Sequence, residues 1–508
     1  MNWRIISTLI IVCALGWLNN YFLIYLDNIT VLLAITFSVL VLLKKHVIYL
    51  VKKRGLVIVS LCILIIISVY NSYLLPSEYS IFSNIILNTV TESDNKTKLV
   101  YYKELIEGIN SNFSDYPLTS FSMLVEIERE IDSLSLICTK LLNYLLNNHI
   151  SPIFPTTPNT LNKSATGILH SFLLIMPSVC LAWMIKRYNT VNLVFWTIVV
   201  SSSLLAVVGI YYKYLYINGM TEDGMEILGL WSAPEPRISF SSFTYKNHWS
   251  AYSILNLSMI FTIMLEIFRH SRGPVLRSNR LIFLSFFAIL HLVAIFYSDS
   301  NSGIILSLLF LMLITFFVIP SKPSSRIYFY TLTPLLLILP IFIYENTVYD
   351  RLKGFSSGES FRLHLWGDLL NQIKTKTFWG YGIDSYQTVN GIFQSSAITE
   401  ARLQNLQGAH QLYIPITVHA HSDILQILSE FGFAGTCIFI FPVIFIILRS
   451  CISLGSQKYP IISLGLFIFL LYSIVDFPFR NIACLSMFAF LLTFSLLQSK
   501  RKPRTSKY

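Results

Sequence analysis

Charge is what this chain has least of. Of its 508 residues only 12% are Asp, Glu, Lys or Arg, about half the share of roughly 25% found in soluble globular proteins. With 54% hydrophobic residues and a mean hydropathy of +0.63, the shortage excludes a soluble globular chain. Cysteine chemistry is scarce as well. Of seven Cys, six (Cys13, Cys62, Cys180, Cys437, Cys451 and Cys484) fall in or beside apolar runs, and only Cys138 lies in a polar stretch. A disulfide framework and a Cys-based metal site are thereby excluded. There is no phosphate-binding glycine loop, no dinucleotide fingerprint, no internal repeat and no low-complexity tract, so ATP-driven chemistry has no support. Acids are missing from one whole set of loops, and that absence sets the topology.

What is present is a series of twelve apolar runs, near 5–25, 28–43, 55–74, 167–185, 190–212, 248–268, 281–297, 303–320, 327–344, 432–449, 460–475 and 481–498. Each is close to the length a helix needs to cross a bilayer. The first follows Arg4 and is kept as a span because the topology needs it. The expectation is an all-α polytopic membrane protein of about twelve transmembrane helices with large extracytoplasmic loops. More than half of the 37 Lys+Arg lie at Arg4 and in segments 44–54, 186–187, 269–280, 321–326, 449–458 and 500–507, none of which holds an Asp or Glu. The positive-inside rule puts these segments, and both termini, in the cytoplasm. The net charge of +11 therefore reads as membrane orientation, with no nucleic-acid partner.

The expected organisation is then 1–74 with three transmembrane helices, an extracytoplasmic helical insertion at 75–165, helices four to nine over 166–344 with an outer loop at 213–247, a large extracytoplasmic loop at 345–431, and three helices with a basic tail over 432–508. The insertion carries helical apolar periodicity around 117–147 and ends in a Pro-rich linker.

The candidate chemistry gathers on the outer loops. Thr-Val-His-Ala-His-Ser-Asp at 417–423 stands before an apolar helix that Ser422 can cap and whose first turn holds Asp423. His419 and His421 sit just ahead of that helix. An imidazole there can take a proton from a hydroxyl, since histidine titrates near neutrality; it can equally serve as an interfacial hydrogen-bonding group. His-x-His-x-Asp also resembles the start of a metal site, but Ile424 follows where a further ligand would be needed, so no metal is expected. Arg237, Arg351 and Arg362 are cations on the side where positive charge is sparse, and Arg forks match phosphate oxygens. Lys246, Asn247 and His248 stand at the start of a span, where they add a cation and hydrogen bonds or form an interfacial anchor with Trp249 and Tyr252. The turn Ser298–Gly303 places Asp299 beside the membrane. In Asp-Phe-Pro-Phe-Arg, Asp476 and Arg480 are candidates for pairing across another turn.

These residues resemble a known family. His419 to Gln426, continuing through Glu430-Phe431-Gly432-Phe433-Ala434-Gly435, is similar to the His-Asn-x-x-Leu-x-x-x-x-Glu-x-Gly-x-x-Gly pattern of the O-antigen ligase and O-antigen polymerase superfamily, with Ser422 in place of Asn. Arg362-x-x-x-Trp366 followed by Gly380-Tyr381-Gly382 looks like that family's Arg-x-x-x-Trp and Gly-x-Gly pair. Arg237 with Phe243 through Tyr252 is similar to its Asn-x-Asn-His segment. Ser300-Asn301-Ser302-Gly303 stands where the family shows Ser-Arg-x-Gly, with Asn301 for the arginine. The likeness covers roughly 230–440; residues 75–165 match nothing in the family.

The resemblance implies a GT-C-like bacterial inner-membrane glycosyltransferase that needs no metal and no cofactor. Its donor would be an undecaprenyl-diphosphate-linked glycan and its acceptor a lipid A-core sugar or a growing glycan, with membrane lipids around it. His421, Arg362 and Arg237 would be catalytic; Arg351, Lys246, Asn247, His419 and Trp366 would bind substrate. A ligase, a polymerase of lipid-linked repeats and a protein O-oligosaccharyltransferase fit the same motifs, with the ligase pattern matching best. The reading from another class is a transporter or flippase, which the nearly charge-free span centres disfavour.

Overall fold

The computed structural model describes residues 3–17, 175–186, 190–220, 226–227, 231–232, 237–270, 279–317, 361–378, 380–381, 419–452 and 459–498, with a few single positions between 386 and 398. The expected spans at 28–43, 55–74 and 327–344, the insertion at 75–165 and Arg351 lie outside them. The chain folds as two compact units, Met1–Lys52 with Leu169–Leu352 and Pro442–Tyr508, and Lys53–Ile168 with Lys353–Phe441.

The first unit is a helix bundle built from α1 (Trp3–Trp17), α2 (Ile175–Lys186), α3 (Val191–Ile217), α4 (Lys246–His270), α5 (Asn279–Tyr297) and α6 (Asn301–Phe317). It is completed by the second half of α8 (Asp423–Ile452), and by α9 (Pro460–Val475) and α10 (Ile482–Gln498). Glu226–Ile227 and Trp231–Ser232 form a minimal antiparallel pair, a small departure from the all-helical expectation. Three of the described helices, Val191–Ile217, Lys246–Arg269 and Asn279–Tyr297, are long and apolar enough to cross a membrane, and shorter apolar helices surround them. The protein is thus a helical integral membrane protein.

α3 shows why. One stripe, Leu193, Val200, Leu204, Val207, Tyr211 and Tyr214, is exposed, while Val194, Phe195, Ile198, Val199, Ser202, Leu205 and Ala206 face inward. Both stripes are apolar, so the exposed one has lipid as its solvent. α4 is the central helix, packed against α3, α5, α6, α9 and α10. Its small polar residues allow close approach, the usual currency of helix packing in lipid. A Cβ on Gly465 of α9 would sit 2.8 Å from Ser258 Oγ, and one on Gly303 of α6 would sit 2.6 Å from Ser250 Oγ. His291 ties three helices, with Nδ1 2.7 Å from Ser253 Oγ and Nε2 3.2 Å from Ser202 Oγ. Trp249 and Tyr252, which sequence offers as interfacial anchors, are instead buried at 0% and 3% exposure. Trp249 stacks on His291 and touches Phe240 and Phe243, inside the bundle.

Helix direction alternates. Lys186 Nζ donates to Leu497 O at 2.8 Å, joining the ends of α2 and α10. The opposite end gathers the C-termini of α3, α5 and α9 with the N-termini of α4, α6 and α10, and all its polar groups discussed below are there.

In the second unit the described residues are a helix at 361–375, here α7, the turn after it, the single positions between 386 and 398, and 419–441 with the first half of α8.

Candidate functional site

In the second unit the histidine stretch is a clamped turn. Ala420 is fully buried between two half-buried histidines. Its carbonyl accepts from Trp366 Nε1 at 3.1 Å, and its N–H donates to Gln426 Oε1 at 3.1 Å. Gln426 Nε2 in turn donates to Glu430 Oε1 at 2.9 Å. The buried carboxylate of Glu430, acceptor only when ionised, fixes which end of the Gln426 amide faces Ala420. A relay therefore runs from Glu430 through Gln426 and Ala420 to Trp366, and His419 and His421 flank its midpoint.

His421 has φ +50, a left-handed conformation costing about 1 kcal/mol for a residue with a Cβ. Such an outlier persists only where the surroundings over-determine it, and these cluster at functional sites. The kink turns the chain so that Ser422 can start α8. Its carbonyl accepts from Gln426 N at 3.0 Å, and its Oγ lies 3.4 Å from Leu425 N. The expected cap at Ser422 and helix start at Asp423 are therefore the observed ones.

α8 then breaks at Gly432, at φ +63 and ψ −173. The break releases main-chain groups that a continuous helix would consume. Phe433 N donates to Thr377 O at 2.8 Å, Ala434 N donates to Phe378 O at 2.9 Å, and Ser429 O accepts from Tyr381 N at 3.0 Å. Gly380, at φ +70, passes so close that a Cβ on it would sit 2.6 Å from Glu430 O. A Cβ on Gly432 would likewise collide with the main chain at Phe378 and Gly380. The two glycine motifs are the two halves of one backbone crossing.

α7 carries Arg362 on its first turn, four residues and thus one helical turn from Trp366 on the same face. The Trp366 bond places that face against the histidine turn. Asp368, two residues further on, accepts from Ser395 N at 2.8 Å and Ser395 Oγ at 3.0 Å. Burial nonetheless raises its carboxyl above the usual value, against the opposing pull of Ser395 and His364.

In the first unit a separate polar group forms at one end of the bundle. Lys246 Nζ meets Asp299 Oδ2 at 3.1 Å, and Asp299 sits at φ +62 in the turn before α6. Asn247 Nδ2 donates to Tyr245 OH at 2.8 Å and to the fully buried Asp476 carboxylate. Asp476 also accepts from Phe477 N at 2.9 Å. His248 packs edge-on against the rings of Tyr245 and Phe477, which stack on each other. Tyr472 OH bridges Ser300 Oγ at 3.0 Å and Ser302 Oγ at 3.2 Å. Arg237 is exposed, and its carbonyl accepts from Lys213 Nζ at 3.0 Å. Among the described residues no three His, Cys, Asp or Glu side chains converge as metal ligands would.

Sequence reasoning passed over Gln426 and Glu430 as side chains, although their i, i+4 spacing, repeated from Ser422, was a signal. It also passed over Lys213, because the apolar run ends at 212 whereas α3 continues to Ile217.

A polytopic helical bundle with polar groups collected at one end, and a histidine turn braced by glycine crossings, defines an integral membrane protein with a candidate catalytic segment. Residues 286–440 match a family model described as O-antigen ligase, so this stretch is similar to a family of glycosyltransferase- or ligase-type enzymes. Partners of such a family are lipid-linked glycans and lipid acceptors in general terms. The match covers α5 from Phe286 onward, α6, α7, the histidine turn and the first half of α8; Arg237 and Lys246 to His248 lie outside it. No curated protein and no solved structure matches the chain.

Proposed function

We propose that this protein transfers a glycan from an undecaprenyl-diphosphate carrier to an acceptor hydroxyl, as an O-antigen ligase does with a lipid A-core sugar. The reaction runs at the extracytoplasmic face of the bacterial inner membrane, with both termini in the cytoplasm, and needs neither nucleotide nor metal. The glycosyl–diphosphate bond already holds the driving force. His421 accepts the proton of the attacking hydroxyl. As the sugar–phosphate bond breaks, Arg362 and Arg237 stabilise charge on the diphosphate leaving group, with Arg351 and Lys246 binding it. Asn247 and His419 contribute hydrogen bonds. Trp366, whose indole N–H is held by Ala420, positions α7 and offers its ring to a sugar.

The observation that carries this reading is the clamped turn. Within the family-matched stretch, a histidine in left-handed conformation is held by a relay that ends on a buried carboxylate. Glycan profiling of a deletion strain tests it. Loss of all polymer from the lipid core, with carrier-linked polymer accumulating, supports the ligase. A single repeat on the core would instead assign a polymerase, and glycosylation lost from proteins alone an oligosaccharyltransferase. Unchanged glycans with lost solute uptake would replace the reading by transport. Chelation with EDTA leaves transfer intact on this account; a loss reversed by added metal contradicts it.

A further inference from the structure

Lys213 is out of place. Along α3 the inward stripe runs Val191, Phe195, Ile198, Ser202, Leu205 and Gly209, and Lys213 continues it one turn further, at 7% exposure. A lysine that only anchored the helix end would extend outward along the exposed stripe of Tyr211 and Tyr214 toward a headgroup zone. This one points into the bundle, where an ammonium is costly and marks function by default.

The segment after Arg237 folds over that face. Phe240 presses on Gly209 so closely that a Cβ there would collide with its ring. Ser241, at φ +52, donates from Oγ to Leu205 O at 2.9 Å, and Lys246 N donates to Ile238 O at 2.6 Å. Lys213 Nζ lies 3.0 Å from Arg237 O and 5.3 Å from the centre of the Tyr216 ring. Arg237, Lys246 and Asp299 all act electrostatically on Lys213. Three cations, from α3, the loop after it and the start of α4, thus lie within electrostatic reach of Lys213's position at one end of the bundle, with Asp299 opposing them. Like charges gathered at a membrane boundary repel, and a bound polyanion relieves that repulsion.

We propose that Lys213 is a further cation of the donor site, binding the diphosphate of a polyprenyl diphosphate together with Arg237 and Lys246. This inference rests on the donor assignment above and adds a residue to it. On binding, Lys246 exchanges its Asp299 partner for phosphate oxygens, while Lys213, bonded to the Arg237 carbonyl, approaches the same anion from α3.

The test is binding of a short polyprenyl diphosphate to the purified full-length chain in detergent, with the matching polyprenyl alcohol as control and phosphatidylglycerol as competitor. Wild type binds the diphosphate over the alcohol and is not displaced by phosphatidylglycerol. Lys213→Met weakens binding about tenfold or more at unchanged thermal stability, and Lys213→Arg stays within about threefold of wild type. Asp299→Asn, removing the opposing carboxylate, tightens binding by about two- to threefold. Lys213→Met binding like wild type would overturn the inference, leaving Lys213 as a brace for the loop. Equal displacement by phosphatidylglycerol would overturn it in favour of a general headgroup site. If Lys213→Met does not fold, Asp299→Asn decides, and unchanged affinity there overturns the cluster. Wild type that binds no diphosphate at all would overturn the donor assignment itself, which separates the two failures.

Discussion

The glycine crossing that follows the histidine turn in the second unit is fixed by main-chain groups, whereas the polar end of the first unit is fixed by side chains. At the Gly380–Gly432 crossing, Phe433 N, Ala434 N and Ser429 O bond the turn after α7 directly, and the glycines are there because no other residue allows the approach. At the bundle end the links are Lys246 to Asp299, Asn247 to Asp476 and Ser300 to Tyr472, each joining helices far apart in sequence. Main-chain fixing gives a rigid frame that tolerates few substitutions at its glycines and many elsewhere. Side-chain fixing can exchange partners, as binding an anion requires of Lys246.

That contrast can be broken experimentally. The largest effect is expected at Gly432→Ala, where a positive φ, costing about 1–2 kcal/mol, combines with collision against main chain at about 1–3 kcal/mol. The variant should lose transfer and several degrees of melting temperature in detergent; a stable, active variant would mean that the crossing does not hold the turn. Next comes Asn247→Ala, which leaves the buried Asp476 carboxylate short of a donor at a cost of about 1–3 kcal/mol. Thermal denaturation reads that loss, and Asn247→Asp should be no better, since it sets two carboxylates together.

Glu430→Gln is milder still. It weakens one charge-assisted bond to Gln426 by about 1 kcal/mol, while the backbone crossing is untouched. The turnover number should therefore fall more than stability does, and equal falls would make Glu430 merely structural. Asp368→Asn should have the smallest effect, visible only against pH. Because burial raises the folded carboxyl above 3.8, stability from this group is full below the unfolded value and declines as pH rises through the folded one. The difference in melting temperature between wild type and Asp368→Asn should thus slope downward above about pH 4 and then level.

The same contrast explains what could be read from the chain alone. Hydropathy placed the apolar runs now seen as helices α9 and α10 within a residue, because a long apolar run bounded by polar turns is a local signal whatever it packs against. The histidine turn was legible too, since Ser422, Asp423, Gly432 and Gly435 are local signals for a cap, a helix start and a break. The burial of Trp249 and Tyr252 was not legible, because an aromatic at a span end looks the same whether it faces headgroups or a neighbouring helix. Lys213 was hidden by a boundary drawn where hydropathy falls, five residues before the helix ends. Its significance depends on Arg237 and Lys246 folding back over it, which no window of sequence contains. Asp476 pairing with Asn247 was illegible for the same reason.

The central claim is that the clamped histidine turn does the chemistry. It is tested most directly by glycan transfer from a lipid-diphosphate donor with purified full-length wild type and His421→Ala. The account predicts that His421→Ala inserts, melts and binds donor like wild type while transfer falls by about 10²- to 10⁴-fold. Transfer at the wild-type rate by that variant would contradict it.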